Sequence, residues 1–451
     1  MAIHEACGVF GVYDADGGCA RSVYYGLYAL QHRGQEACGI ASINNMELSC
    51  HKGHGLVGDV FTEAIIGELN GTMALGHVYY GAEASARNAE QPLTLSYLKG
   101  SLAVAHNGNL RNSDSLRLEY EERGAVFHTS TDCEIIANII AQARLHTESV
   151  EMAVKEAMTR LKGAFSLVVM SSRKLIAARD PWGFRPLCIG KKGKSFVFAS
   201  ETCALDSIGA EFVRDVEPGE VVWVFEGKMM SDRENCAGKS SLCVFEHLYF
   251  ARPDSVIDGQ SVYDARILAG QCLARERPVD GDVVIGVPDS GLVAAKGYAL
   301  ATGIQYNDGF VKNRYIGRTF IQPKQSSREE AVKIKLNPLR ATIDGKRVIV
   351  VDDSIVRATT TDKTIKRLRE AGAKEIHVRI ASPKFISPCY YGTDIPSKDM
   401  LFACKHTTKE MCDIIGADSL GFLSVDSLSS IAPNSTLGFC DACFTEKYPV
   451  P

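Results

Sequence analysis

The chain has 451 residues, with 50 Lys and Arg against 54 Asp and Glu for a formal net charge of -4. This balance excludes the strongly basic footprint of a dedicated nucleic-acid binder, and the length predicts about two or three domains. At 45% hydrophobic and 23% charged residues the chain can bury a large core, no stretch approaches the ~20 apolar residues needed to cross a bilayer, and residues 1–6 are too short for a secretory signal. A soluble, cytoplasmic protein is expected. The 15 cysteines are odd in number and scattered, which argues against a disulfide framework and for mostly small buried hydrophobes.

Two rhythms divide the chain, with a seam near residues 227–255. The first part carries short alternating runs at 7–13, 39–43, 103–106 and 165–170, separated by helical spacing at 22–30 and 132–145. It reads as an α+β unit with largely antiparallel strands. Beyond the seam, apolar runs at 282–287, 347–351 and 375–381 alternate with helical segments at 292–301 and from 359 to Gly372. Continuous apolar strands alternating with helices predict a parallel sheet covered on both faces. Such sheets bind ligands at the carboxyl ends of their strands.

One stretch is especially informative. In Arg347-Val-Ile-Val-Val-Asp-Asp-Ser-Ile-Val-Arg-Ala-Thr-Thr360 a buried strand ends in two adjacent carboxylates, Asp352 and Asp353, and small hydroxyl residues open a helix. Backbone N–H groups there, with the Ser354, Thr359 and Thr360 hydroxyls, form a phosphate cradle. The paired carboxylates suit ribose hydroxyls or Mg²⁺. This stretch resembles the phosphoribosyl pyrophosphate (PRPP) signature of type I phosphoribosyltransferases, except that Ala358 replaces the usual Gly. The resemblance implies PRPP binding by Asp352, Asp353, Ser354, Arg357, Thr359 and Thr360, and one Mg²⁺ per subunit at Ser290, Asp352 and Asp353. Gly286-Val-Pro-Asp-Ser-Gly291 resembles the family's pyrophosphate loop. The basic run Lys312-Asn-Arg-Tyr-Ile-Gly-Arg318 resembles its flexible loop, with Lys312, Arg314 and Arg318 closing over the leaving group and excluding water.

Near the start lies Cys7-Gly-Val-Phe-Gly11. If residues 1–6 were removed, Cys7 would carry both a thiol and a free α-amine of pKa ~8, a nucleophile with its own base. In His106-Asn-Gly-Asn109 the Asn107 amide and the Gly108 N–H can form an oxyanion hole. With Leu30-Gln-His-Arg-Gly-Gln35, Ser130-Thr-Asp-Cys133 and Ala178-Arg-Asp-Pro-Trp-Gly-Phe-Arg-Pro186, these motifs resemble a class II glutamine amidotransferase. Joined to the PRPP signature, they resemble the amidophosphoribosyltransferase family.

That resemblance implies an N-terminal nucleophile (Ntn) hydrolase sandwich of αββα layers over 7–235, after a propeptide of residues 1–6. An α/β type I phosphoribosyltransferase domain would follow over 236–451. It implies glutamine hydrolysis at Cys7, with Arg33 and Asp132 holding glutamine, and ammonia passing through an internal channel to PRPP. The products would be 5-phosphoribosylamine, pyrophosphate and glutamate, the committed step of purine synthesis. Purine nucleotides as feedback inhibitors and a homotetramer are also implied, with no nucleic acid or membrane partner. Tyr263 and Arg266 match a family segment of unassigned role.

The pattern breaks at Gly76-His-Val-Tyr-Tyr-Gly-Ala82, where Tyr79 and Ala82 stand in place of the family Arg and Thr. That Arg binds the glutamine α-carboxylate in the family, and a charge-assisted contact is worth about 1.5–3 kcal/mol. Glutamine use is therefore expected to be impaired unless another Arg such as Arg87 compensates. The alternatives are an ammonia-dependent phosphoribosyltransferase or a non-catalytic PRPP- or nucleotide-binding regulator. Cys440-Asp-Ala-Cys443 could be half a zinc site, a redox pair or two ordinary cysteines. With Cys243 and Cys389 it also resembles a subgroup of the family whose four thiolates bind a [4Fe–4S] cluster, one per subunit, as a structural staple.

Overall fold

The computed structural model describes residues 7–80, 90–236, 238–313, 336–393, 395 and 397–450. In the first part, strands run in chain order as β1 (Gly8–Tyr13), β2 (Ala37–Asn44), β3 (Glu47–His54), β4 (Met73–Tyr79), β5 (Leu93–Tyr97), β6 (Gly100–Leu110) and β7 (Gly163–Ser171). They continue as β8 (Lys174–Arg179), β9 (Cys188–Lys192), β10 (Ser195–Ala199), β11 (Glu211–Asp215), β12 (Val221–Phe225) and β13 (Lys228–Asp232). One antiparallel sheet has the order β11-β9-β10-β1-β4-β2-β3, the other β13-β12-β8-β7-β6-β5.

Side-chain alternation explains the layering. On β1, Val9 points into the core between the sheets, among Leu75, Ala105 and Val168. Phe10 and Val12 point the other way, under the helices Cys19–Ala29 and Thr202–Ile208. The helices Asp132–Ala143 and Val150–Arg160 cover the outer face of the second sheet. The layers are thus αββα, and burial on both faces gives β1 its unbroken apolar character.

The second unit has a four-stranded parallel sheet in the order Val283–Gly286, Arg347–Asp352, Glu375–Ile380 and Ser419–Phe422. Period-2 alternation again places the side chains. Ile349 and Val351 pack toward the helices Val262–Glu276 and Gly291–Thr302. Val348 and Val350 pack toward Thr359–Glu370 and Thr408–Ile415. Each such buried side chain contributes about 1.5–3 kcal/mol. The helix expected to run to Gly372 ends at Glu370, because Gly372 takes φ +97°. Among the described residues, no helix is long and apolar enough to cross a membrane.

Candidate active site

Cys7 immediately precedes β1 and is half-buried, its Sγ 3.8 Å from the Tyr80 carbonyl oxygen. Burial pushes its thiol pKa up, while the Arg33 and Arg185 charges pull it back toward the thiolate. Tyr79 ends β4 beside it, half-buried, its ring 6.2 Å from that of His77. The Leu30–Gln35 turn passes so close to this strand end that a Cβ on Gly34 would lie 2.6 Å from the Tyr79 nitrogen, so only glycine fits.

Asn107 and Gly108 lie on β6, opposite Ser166 and Phe165 of β7. Gly108 takes φ +143°, and a Cβ there would sit 2.1 Å from the Ala164 carbonyl oxygen. The Asn107 amide is buried, and neither its oxygen nor its nitrogen has a hydrogen-bond partner among the described residues. A buried amide without partners costs free energy unless a ligand satisfies it. Asp132 opens the helix Asp132–Ala143 and accepts from the Leu110 N–H at 2.7 Å, fixing the end of β6. Burial raises its pKa, and the nearby His106 opposes the rise.

Arg33 does not fit the expected role of holding glutamine. Its guanidinium is fully enclosed and donates to Glu201 at 2.6 Å, to Glu246 at 2.8 and 2.9 Å, and through Nε to the Cys7 carbonyl at 3.1 Å. Four of its five donors are thereby committed to the protein's own oxygens, so it holds the backbone of Cys7. No site role fell to Glu201, Glu246 or Arg185 from the sequence, although Arg185 stands in the motif at 178–186. Ala82, Arg87 and residues 1–6 lie outside the described residues.

In the second unit, Asp352 ends the strand Arg347–Asp352 and Asp353 follows it, as expected. Asp353 accepts from the hydroxyls of both Ser290 and Ser354, and its N–H donates to Asp352 Oδ1 at 2.9 Å. The two loops are thereby stitched together at the carboxyl edge of the sheet. Burial and the neighbouring Asp353 charge raise the Asp352 pKa well above the usual range, an arrangement that a cation or the hydroxyls of a sugar would relieve. Lys312 forms an ion pair with Asp289 of the other loop. Thr360 lies exposed in the first turn of the helix Thr359–Glu370, and Arg357 touches the Met400 sulfur at 3.6 Å. Ala358 caps that helix at φ +61°, a left-handed conformation that glycine adopts without strain. Arg314, Arg318 and the Thr359 side chain lie outside what is described. Arg266 donates to the carbonyls of His247, Tyr249 and Ala251, so it braces the seam between the units. Tyr263, on the same helix, is exposed.

Cys243, Cys389, Cys440 and Cys443 line a single apolar cavity with Phe184, Phe245, Phe385 and Tyr391. Parallel pairing of Leu242–Cys243 with Phe439–Cys440 sets Cys243 opposite Cys440. Burial raises the pKa of Cys243 to about 11 and those of Cys440 and Cys443 well above the ordinary thiol range. Among the described residues, no three His, Cys, Asp or Glu side chains converge on the position of a single ion. The four thiols stand around a space, a donor set that fits a soft multinuclear cluster.

Comparison with known proteins agrees with both halves. A family described as "Glutamine amidotransferase domain" matches residues 82–207, and one described as "Phosphoribosyl transferase domain" matches residues 260–382. The amidophosphoribosyltransferase of Methanocaldococcus jannaschii is 45% identical over 98% of this chain and 97% of its own length. That of Synechocystis is 48% identical over 99% and 91%. The solved structure of the glutamine PRPP amidotransferase from B. subtilis, complexed with ADP and GMP, is 45% identical. It superposes with a TM-score of 0.91 over 99% of this chain and 98% of that one. Identity of this order, running unbroken through both units, means that the chain belongs to the amidophosphoribosyltransferase family.

Proposed function

We propose that this chain transfers the amide nitrogen of glutamine to PRPP, forming 5-phosphoribosylamine, pyrophosphate and glutamate at the start of purine synthesis. The observation that carries the reading is the buried Asn107 amide, unpartnered among the described residues, beside the bend at Gly108, in a chain whose other unit joins Asp353 to Ser290 and Ser354. Cys7, freed of residues 1–6, attacks the amide carbon. Its α-amine takes the thiol proton and passes it to the leaving ammonia, and water then cleaves the resulting glutamyl thioester, releasing glutamate and returning the Cys7 thiol. The Asn107 amide and the Gly108 N–H receive the charge that develops on the amide oxygen, and Asp132 pairs with the substrate α-amino group.

Ammonia then crosses the seam to PRPP, held by Asp352, Asp353, Ser354, Arg357, Thr359 and Thr360, with Lys312, Arg314 and Arg318 over the pyrophosphate. Ser290, Asp352 and Asp353 would hold Mg²⁺, which neutralises pyrophosphate charge. Cys243, Cys389, Cys440 and Cys443 would hold a [4Fe–4S] cluster that staples the C-terminal tail to the seam. Purine nucleotides as feedback inhibitors and a homotetrameric assembly complete the reading.

A second reading, in which the transferase runs mainly on free ammonia, is favoured by Tyr79. Pyrophosphate release from PRPP and Mg²⁺ tests both, with glutamine and ammonium titrated separately in protein purified without oxygen. Saturation by glutamine, lost in Cys7→Ala while ammonium still works, supports the first. Turnover with ammonium alone supports the second, and no turnover with either donor refutes both.

A further inference from the structure

Buried ion pairs connect the two units at the amide-hydrolysing centre. Glu246 lies beyond β13, in the single helical turn Glu246–Phe250, yet its carboxylate reaches two arginines of the sandwich. Oε1 accepts from Arg33 at 2.8 Å and from Arg185 at 2.9 Å, and Oε2 accepts from Arg33 at 2.9 Å. All three side chains are fully buried. Arg33 passes the connection to the Cys7 carbonyl. Arg185 passes it to the Tyr391 carbonyl, donating from Nε at 3.2 Å and from Nη2 at 2.9 Å.

Tyr391 belongs to segment 389–392, which also rests on the strand of Asn107 and Gly108. Asn109 Nδ2 donates to the Tyr390 carbonyl at 3.1 Å. A Cβ on Gly392 would lie 3.0 Å from Arg185 Nη2 and 3.2 Å from the Gly108 carbonyl carbon. Glu246 is thus the point where the backbone of Cys7 and the support of the Gly108 bend meet.

We propose that Glu246 is a positioning residue for amide hydrolysis: from the second unit it anchors Arg33 and Arg185, and through them Cys7 and the Gly108 bend. The hydrolysing centre is then complete only when the second unit is docked. This rests on the reading of Cys7 as nucleophile. Glu246 touches no substrate, and it acts in two ways. It holds both guanidinium groups in place, since an unpaired buried charge is strongly disfavoured. It also tempers their field at the thiol. Among the described residues the Tyr79 phenol and the Tyr80 carbonyl also face that thiol, and Glu201 shares Arg33 with Glu246 and pairs with His32.

The test uses the whole protein, purified without oxygen. Iodoacetamide alkylation is followed across pH at the Cys7 peptide by mass spectrometry. Glu246→Gln leaves the two arginines undercompensated, so the thiol titrates about one unit lower. Arg185→Gln removes a cation and moves it up by a similar amount. Glu246→Asp keeps the charge and restores most of the wild-type profile. Glutamine-dependent glutamate release falls at least tenfold in kcat for Glu246→Gln. Loosened structure alone would expose the thiol and carry both variants toward the ordinary value of about 8.5, so opposite shifts support the proposal. Shifts of one sign, or none, in preparations that still release pyrophosphate with ammonium overturn it. Should Glu246→Gln fail to fold, Arg185→Gln and Glu246→Asp decide: an upward shift in the first with a preserved profile in the second supports the proposal, and anything else overturns it. Glutamate release that survives Cys7→Ala refutes the nucleophile itself, a separate result.

Discussion

Replacing Tyr79 by arginine tests how the amide pocket recognises its donor. Tyr79 ends β4, pairs with Ala37 of β2, and adjoins Tyr80, whose carbonyl faces the Cys7 thiol. A guanidinium there is placed to meet a substrate carboxylate, and a charge-assisted bond of this kind contributes about 1.5–3 kcal/mol, roughly 10- to 150-fold in affinity. The surroundings reduce that figure. Glu36 and Glu90 already act electrostatically on the Tyr79 phenol, and both would compete with the substrate for an arginine. The expected result for Tyr79→Arg is therefore a fall of about tenfold in the glutamine KM, the lower end of that range, with the ammonium KM unmoved. Steady-state glutamate release gives the numbers. Glutamine whose α-carboxylate is converted to a carboxamide serves as the control, because it has no charge for the arginine to meet. An unchanged glutamine KM, or an equal gain for the carboxamide, would refute the reasoning.

Other outcomes follow from particular contacts. Asp353→Asn removes the charge that accepts from Ser290 and Ser354, and should weaken PRPP at least about tenfold in the ammonium-dependent assay; an unchanged PRPP KM would contradict that. Ala358→Gly relieves a left-handed residue at a cost saving of about 1–2 kcal/mol, partly offset by about 0.5–1 kcal/mol of glycine entropy, so the second unit should melt slightly higher, and a lower melting point would count against the strain. Glu201 and Glu246 are held below the usual carboxylate range, against their burial, by His32 and Arg33 for the first and by Arg33 and Arg185 for the second. Their contribution to stability is complete above their unfolded pKa of about 4.3 and is lost as pH falls through the folded values. Both tryptophans, Trp182 and Trp223, lie in the sandwich, so their fluorescence in urea titrations should show a midpoint that drops steeply below about pH 4, and a flat midpoint there would sink the assignment. The proposed [4Fe–4S] cluster would give protein purified without oxygen a visible absorbance, which Cys443→Ser should abolish while lowering thermal stability; a visible absorbance retained in full by the variant would remove Cys443 from the proposed ligand set.

What was legible in the sequence lay where local pattern and chemistry coincide. The apolar run ending at Asp352 and Asp353 announces a parallel strand and its ligand edge together, because both follow from which residues a buried strand can carry and where it must stop. Cys7 and the Asn107-Gly108 pair stood out as candidates because each lies at or on an apolar strand, β1 with its unbroken run and β6 with its Asn-Gly. The interior charges were not. Arg33 stands in a short polar motif and read as a ligand, since its partners Glu201 and Glu246 are 168 and 213 residues away and no periodicity marks them. A buried carboxylate looks like an exposed one until the fold encloses it. The four cysteines show the opposite case: separated by up to 200 positions, they were connected only through resemblance, and the pairing of Leu242–Cys243 with Phe439–Cys440 gives that connection a physical cause. Tyr79 is different again. Its position is fixed by strand register, so the fold places it beside Cys7 whatever residue it is, and the chemistry carried at that position is what Tyr79→Arg probes.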